Sequence, residues 1–363
     1  MKIAMIGPKL IPSREGGIDV VVEKLASILS EKGHDVTIFV RRRKKQVIQK
    51  EYNGCKIIDV FSINKKSTDA LVSSFFAMIK GLLGNYDILH VHALGNSFFL
   101  WLRFLNRKKR IVVTVHGLDW KRSKFNGLGT AILKKAERRI VKYADEVITL
   151  CKNDYEYFRD EYGLETHVIP NGFELYPYTE AHIITEKYGL ERDSYILFLA
   201  RIVPEKGLHY LIDAYKQIDI PQKLVIAGGA SHSEEYYSEM KQKAEKNEKI
   251  IFTGFVQGQE LEELFSNAYL YVLPSDIEGM PMSLLEALGH GCVCLVSDIR
   301  ENDIDRANSY YFKKGDVYSL KEMLVSISKK RKAYTRTQSL MDWDSVVNET
   351  IEVYKGVMNG KKA

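Results

Sequence analysis

At 363 residues the chain is long enough for two ordinary domains, each with a substantial core. Its 45% hydrophobic and 28% charged residues are those of a globular protein, which excludes disordered, collagen-like and coiled-coil classes. The net charge of +6 conceals an asymmetry: residues 1–170 carry 30 Lys and Arg against 18 Asp and Glu, and the rest carry 23 against 29. No apolar run approaches the roughly 18 residues that span a bilayer, and the opening residues read as a strand rather than a secretion signal, so a cytoplasmic location is expected. Cys55, Cys151, Cys292 and Cys294 form neither Cys-x-x-Cys nor a zinc spacing and are read as buried free thiols.

In chain order, a strand over Lys2–Gly7 leads through a loop, Pro8–Gly17, into an amphipathic helix over Ile18–Lys32. Gly33 ends that helix and a strand over Asp35–Val40 follows, completing a βαβ unit. The loop holds Gly16 and Gly17 but no Gly-x-Gly-x-x-Gly, which disfavours a nicotinamide enzyme. Further strands are expected over Lys56–Val60, Asp87–His92, Arg110–His116, Glu146–Leu150 and His167–Pro170, with helical stretches between most of them. This alternation predicts a parallel sheet covered on both faces, with ligands at the carboxyl ends of its strands. His90 and His92 close one strand and are read as structural, whereas His116, in Val115-His116-Gly117-Leu118-Asp119, stands at the mouth of the next. After Pro170-Asn171-Gly172 the chain turns polar and irregular and is read as a linker to about residue 190. A second alternation has strands over Tyr195–Ala200, Lys223–Ala227, Lys249–Phe255, Leu270–Leu273 and Val293–Ser297. An amphipathic helix over Trp343–Met358, with Val346, Val347, Ile351, Tyr354 and Val357 on its apolar face, ends the chain.

The stretch after Leu273 is the most informative. Ser275-Asp276-Ile277-Glu278-Gly279-Met280-Pro281 runs from a strand into a helix beginning Met282-Ser283-Leu284-Leu285-Glu286. The amides of Met282, Ser283 and Leu284 are expected to point free at the helix N-terminus, where the macrodipole favours an anion. Gly279 lets a ligand approach the backbone, and Pro281 suits a first helical turn. Glu278 and Glu286 are too far apart for an i, i+4 pair and are read as addressing two parts of one ligand. A carboxylate accepts well from paired sugar hydroxyls, so Glu286 suits a ribose and Glu278 a second sugar. Together with the anion site, these outline a nucleotide sugar. Arg201-Ile-Val-Pro-Glu-Lys206-Gly207 opens the first loop of the second half. Arg201 can grip phosphate oxygens bidentately and Lys206 adds a point charge, enough to neutralise a diphosphate without metal. Gly228 and Gly229 end the next strand and leave room for a nucleotide. The Asp-x-Asp pairs at Asp303/Asp305 and Asp342/Asp344 fall at no strand end opposite the phosphate loop. No divalent metal and no cofactor are therefore expected.

These segments resemble the Glu-x7-Glu motif, the Arg and Lys pair and the active-site histidine turn of retaining glycosyltransferases of family 4. The resemblance implies an α/β fold of GT-B architecture, with two Rossmann-like domains facing across a cleft. An acceptor-binding domain would span 1–172, a linker 173–190 and a nucleotide-sugar domain 191–342, with a terminal helix in 343–363 packing back on the first domain. It implies catalytic roles for His116, Arg201, Lys206 and Glu278. Donor contacts would come from Gly16, Gly17, Gly229, Val256, Gly279, Met280, Pro281, Met282, Ser283, Leu284 and Glu286, with Arg14 and Asp119 on the acceptor side. The implied reaction is retaining, metal-independent transfer from a nucleoside diphosphate sugar to an acceptor hydroxyl. The segment Ile11–Ala26 looks like members that assemble capsule, exopolysaccharide or O-antigen, which implies a glycan or polyprenyl-linked glycan acceptor. A nucleotide-sugar epimerase, or a non-catalytic sugar-nucleotide-binding protein on the same fold, is the alternative. Basic clusters at 41–45, Lys65-Lys66, 107–110 and 121–124 lie beside apolar stretches over 71–83 and 98–105. Two readings of these stay open: contact with an anionic membrane at the inner face of the plasma membrane, or core helices with solubilising cations. No nucleic-acid recognition motif accompanies the charge.

Overall fold

Two parallel sheets organise the protein, one in each of two units: residues 1–172 with 341–363, and residues 173–340. The structure is a computed structural model that describes residues 1–42, 49–63, 69–121, 127–230, 233–337 and 340–360. The cations at 43–45, Lys65, Lys66, Arg122 and Lys124 lie outside the described residues.

The first sheet contains β1 (Lys2–Ile6), β2 (Asp35–Arg41), β3 (Glu51–Tyr52), β4 (Cys55–Val60), β5 (Ile88–His92), β6 (Arg110–Val115), β7 (Glu146–Thr149) and β8 (His167–Val168). Their order is β3-β4-β2-β1-β5-β6-β7-β8, and among the described residues only β3 runs antiparallel to its neighbour. This short edge strand was not expected, although Asn53 (φ +46°) and Gly54 (φ +72°) form the two-residue turn that an Asn-Gly pair favours in a hairpin. The second sheet contains β9 (Tyr195–Leu199), β10 (Lys223–Ala227), β11 (Ile250–Gly254), β12 (Leu270–Leu273), β13 (Cys294–Ser297) and β14 (Ser309–Phe312), in the order β11-β10-β9-β12-β13-β14 and all parallel. The β5 and β12 strands are buried along their whole length, which is why β12 reads as a continuous apolar run and β5 as one broken by His90 and His92.

In both units the strand order reverses direction at one place. From β1 the chain moves outward to β2 on one side, and β5 lies on the other; from β9 it moves to β10 on one side, and β12 lies on the other. Loops leaving such a pair diverge and open a crevice at the carboxyl ends of the strands. The loops after β1 and β5, and those after β9 and β12, therefore occupy the ligand-binding positions of their sheets.

Segment 173–190 is not a linker. Phe173, Ile184 and Leu190 join the core of the second unit, and the buried Glu263 carboxylate accepts from the amides of His182 (3.0 Å) and Ile184 (3.1 Å) at the start of a helix over Ile183–Tyr188. Polar composition hid this docking, because it depends on three apolar side chains and one distant glutamate. Residues Gly95–Leu105 form a 3-10 helix, and Asp69–Leu83 an α-helix. Each buries one face while leaving Phe76, Leu83, Phe104 and Leu105 exposed. The terminal helix, Trp343–Met358, packs within the first unit: Tyr354 and Val347 are fully buried, and a Cβ at Gly172 would lie 2.3 Å from the Trp343 ring. Cys55, Cys292 and Cys294 are buried free thiols, whereas Cys151 is half-buried at the N-cap of a helix over Lys152–Tyr162.

Candidate functional site

The loop after β9 is shaped by glycine. Residues Pro204–Lys206 form one 3-10 turn, and Gly207 (φ +70°) passes the chain into the helix Leu208–Tyr215. A Cβ on Gly207 would lie 1.9 Å from the Pro274 carbonyl oxygen, so only glycine lets this loop press against the one leaving β12. The Asp276 amide donates to the Glu205 carbonyl at 2.9 Å, tying the two loops together. Lys206 Nζ then lies 2.5 Å from Glu278 Oε1, and the side chains are 13% and 7% exposed. A cation from one switch-point loop and a carboxylate from the other are thus locked as a pair. Arg201 is half-buried in the same loop, two residues beyond β9.

The neighbouring strand end is cleared in the same way. Gly228 (φ +139°) sits where a Cβ would come within 1.9 Å of the Ala200 carbonyl oxygen, while a Cβ on Gly229 would face open space. Val256 is buried, and Thr253 Oγ1 donates to the Gly254 carbonyl at 3.1 Å.

Gly279 is buried and Met280 half-buried in the bend that leads to the helix over Met282–Gly289. Pro281 is the N-cap of that helix, with extended backbone, rather than a first-turn residue, and no side chain caps the end. The Leu284 amide is not free: with Leu285 it donates to the Pro281 carbonyl, at 3.1 and 3.2 Å. This tight first turn follows from placing proline one residue earlier than expected, and it reduces the expected set of anion-facing amides to Met282 and Ser283. Tyr271 on β12 steadies the turn; its hydroxyl donates to the Leu199 carbonyl (3.1 Å) and lies 2.8 Å from Ser283 Oγ. Burial pushes this phenol far above its ordinary pKa, so it stays a neutral hydrogen-bonding group. Glu286 is half-buried on the same helix.

In the first unit, Gly16 is the extended N-cap and Gly17 the first residue of the helix Gly17–Glu31, with Arg14 and Glu15 exposed in the preceding loop. Buried Asp19 and half-buried Glu23 on this helix reach back to the amides of Lys9 (2.7 Å) and Ser13 (3.4 Å) and hold that loop. Burial raises the Asp19 carboxyl to about 6. His116 stands just beyond β6, and Asp119 opens a 3-10 turn over Asp119–Lys121. His116 Nε2 lies 3.0 Å from His92 Nδ1, and the rings of His90 and His92 are 4.1 Å apart. His90 is held by the hydroxyls of Tyr354 and Thr114, both at 2.7 Å. The sequence reading missed the link between His92 and His116; the i, i+2 spacing of two histidines on one strand, ending beside a third at the next strand mouth, was its available signal.

The Asp-x-Asp pairs serve the fold. Asp305 accepts from Asn308 and Thr337, Asp303 pairs with Arg306, and Asp342 caps the terminal helix by accepting from the Ser345 amide. Among the described residues no group of three or more His, Cys, Asp or Glu is placed to hold a metal ion, and no helix is long and apolar enough to cross a membrane.

Comparison with known proteins agrees with this geometry. Residues 15–175 match the family described as Glycosyltransferase Family 4, and residues 182–338 match Glycosyl transferases group 1. An uncharacterized glycosyltransferase of Methanocaldococcus jannaschii is 25% identical over 99% of each chain. An Escherichia coli UDP-Gal:alpha-D-GlcNAc-diphosphoundecaprenol alpha-1,3-galactosyltransferase is 26% identical over 67% of this chain and 66% of its own. Among solved structures, sucrose-phosphate synthase from Thermosynechococcus elongatus superposes with a TM-score of 0.84 at 18% identity, covering 99% of each chain. Anabaena HepE in complex with UDP and glucose superposes at 0.79 and 17% identity, covering 98% of this chain and all of its own. The two family matches together account for most of both units, and the chain belongs to the glycosyltransferases of the family 4 type, with the GT-B fold.

Proposed function

We propose that this glycosyltransferase moves a sugar from a nucleoside diphosphate sugar to the hydroxyl of a polyprenyl-linked glycan during surface polysaccharide assembly, with retention and without a metal. The observation that carries the reading is the Lys206–Glu278 pair, which joins the two switch-point loops of the second unit beside Arg201 and an uncapped helix N-terminus. The chemical difficulty lies in the charge that grows on the departing diphosphate. Arg201, Lys206 and the amides of Met282 and Ser283 stabilise it, and Glu278 holds the ammonium in place beforehand so that little reorganisation is needed. Glu286 suits the ribose, Glu278 suits hydroxyls of the transferred sugar, and the leaving phosphate takes the acceptor proton. The polyprenyl acceptor is supported by the galactosyltransferase relative, whose name specifies a diphosphoundecaprenol substrate. Exposed Phe76, Leu83, Phe104 and Leu105, near the exposed cations Lys80, Arg107 and Lys108, support contact with an anionic membrane surface.

A thermal-shift screen of UDP-, GDP- and dTDP-sugars tests the donor reading. A donor at about 100 times its Kd adds about 2.7 kcal/mol to the native state. The absence of a shift with every donor class overturns the reading. With the responding donor and undecaprenyl-diphosphate N-acetylglucosamine, NMR of the product should show the donor's anomeric configuration. Inversion overturns the retaining assignment, and isomerised sugar formed without acceptor identifies an epimerase instead.

A further inference from the structure

We propose that Glu137 is a positioning residue for acceptor binding: from inside the first unit it holds the Trp120 indole, and through it the turn that presents Asp119 at the mouth of β6. The inference rests on the proposed transfer to a glycan acceptor, with Asp119 on the acceptor side.

Glu137 lies on the helix over Leu128–Tyr143 and is fully buried. A buried carboxylate is costly unless donors fill its lone pairs. Four donors do so here, and they divide unevenly between its two oxygens. Oε1 accepts from the hydroxyls of Tyr162 (2.6 Å) and Tyr157 (2.8 Å), both on the helix Lys152–Tyr162, and from Lys134 Nζ (3.3 Å). Oε2 accepts from Trp120 Nε1 at 2.7 Å and, among the described residues, from nothing else. Burial and the bond to Glu137 push both phenols above their ordinary pKa, Tyr162 to about 12, so each remains a neutral donor. Three donors from two helices thus fix the carboxylate, and the remaining oxygen meets the loop.

The indole is fixed at its edge and over its face. Lys134 Nζ, which also donates to the Tyr157 hydroxyl at 2.7 Å, lies 3.5 Å from the centre of the Trp120 ring in a cation–π contact. Leu118, two residues earlier, is buried in the core. Between these anchors the backbone turns tightly. Gly117 has φ +104°, the Asp119 amide donates to the Gly117 carbonyl (3.1 Å), and the Lys121 amide donates to the Leu118 carbonyl (2.9 Å). Asp119 is therefore stapled on both sides, just beyond the carboxyl end of a strand, where such sheets bind ligands. Tyr157, Tyr162 and Lys134 would hold the two helices together without Oε2; the bond to Trp120 adds the placement of the turn. A group held in position before binding loses little freedom when its ligand arrives, and displacing it is costly.

Glu137→Gln separates the two roles. Its amide oxygen can serve the three donors on the Oε1 side, which leaves its NH2 facing the indole N–H, so the loop bond is lost while the helix bonds remain. Tyr162→Phe is the converse, removing a donor from Oε1 and keeping the Trp120 bond. Transfer is assayed with the donor that responds in the thermal-shift screen and with undecaprenyl-diphosphate N-acetylglucosamine. Glu137→Gln should raise the acceptor KM about tenfold, the factor that corresponds to one displaced hydrogen bond, with the donor KM and the donor-induced rise in melting temperature unchanged. Tyr162→Phe should lower the melting temperature and leave the acceptor KM at its native value. In indole 1H–15N spectra, Trp120→Phe identifies the Trp120 signal among the three tryptophans, and that proton should exchange with water at least about tenfold faster in Glu137→Gln. An unchanged acceptor KM in Glu137→Gln, equal KM increases in Glu137→Gln and Tyr162→Phe, or an indole proton that exchanges equally fast with and without Glu137 overturns the proposal. If Glu137→Gln does not fold, Trp120→Phe, which removes the indole N–H and keeps an aromatic ring, must raise the acceptor KM in its place. Failure of every nucleotide sugar to raise the melting temperature, or of the native protein to use this acceptor, defeats the proposed function and the acceptor role with it, while the indole exchange still decides whether Glu137 holds the turn.

Discussion

Removing Lys206 should unfold the second unit more easily before it affects any chemistry. The Lys206–Glu278 pair is formed by side chains 13% and 7% exposed, so Lys206→Ala leaves a nearly buried carboxylate without its counter-ion. Breaking a fully buried pair from one side costs about 3–5 kcal/mol; the remaining exposure here lets water reach the carboxylate and reduces this to about 2–3 kcal/mol. For a unit the size of residues 173–340, that corresponds to a fall of about 4–12 °C in melting temperature. The penalty comes from an orphaned charge rather than a lost contact, so adding Glu278→Gln should recover at least half of it. Glu278→Gln alone should cost about 1 kcal/mol, because the long lysine stem can carry its ammonium to water. Calorimetric melting of the native protein, both single variants and the double variant gives the cycle directly. A Lys206→Ala protein as stable as the native one, or a double variant no more stable than Lys206→Ala, refutes the reasoning.

Three further outcomes follow from the geometry. Gly207→Ala should destabilise by at least about 3 kcal/mol, because strain at φ +70° is joined by a Cβ 1.9 Å from the Pro274 oxygen. Gly33→Ala, at φ +82° with nothing within 4 Å, should cost only about 1 kcal/mol; equal urea midpoints for the two variants would contradict the close-approach argument. Tyr354→Phe should cost about 1–3 kcal/mol in urea unfolding by leaving His90 Nδ1 buried without its partner, and an unchanged midpoint would show that this hydrogen bond contributes nothing. The Asp19 carboxyl is raised from 3.8 to about 6, so the folded state binds a proton that the unfolded chain has already released. The resulting cost is absent below about pH 3.8, grows as pH rises, and is complete above about pH 6, where it reaches about 3 kcal/mol. The stability of Asp19→Asn relative to the native protein should therefore increase between pH 4 and pH 7; a flat difference across that range would refute the assignment.

Much of this protein was legible one segment at a time. Alternating apolar strands and amphipathic helices are local patterns, so twelve of the fourteen strands among the described residues, and the terminal helix Trp343–Met358, could be placed from side-chain periodicity. The two missed strands, β3 and β14, are short and lie at sheet edges, where burial imposes little pattern. The Arg201 to Gly207 and Ser275 to Glu286 segments were equally readable, because a cation pair, a glycine-containing bend and a helix start each depend on a few adjacent residues. What only the tertiary structure decided is which distant groups meet. Lys206 finds Glu278 across 72 residues because β9 and β12 are neighbours at a reversal of strand order, and His92 finds His116 because β5 and β6 pair in register. The docking of residues 173–190 and the engaged Leu284 amide belong to the same class. Periodicity reports which face of an element is buried; the partner on the far side of that face is set by strand order and register, which no local stretch of sequence encodes.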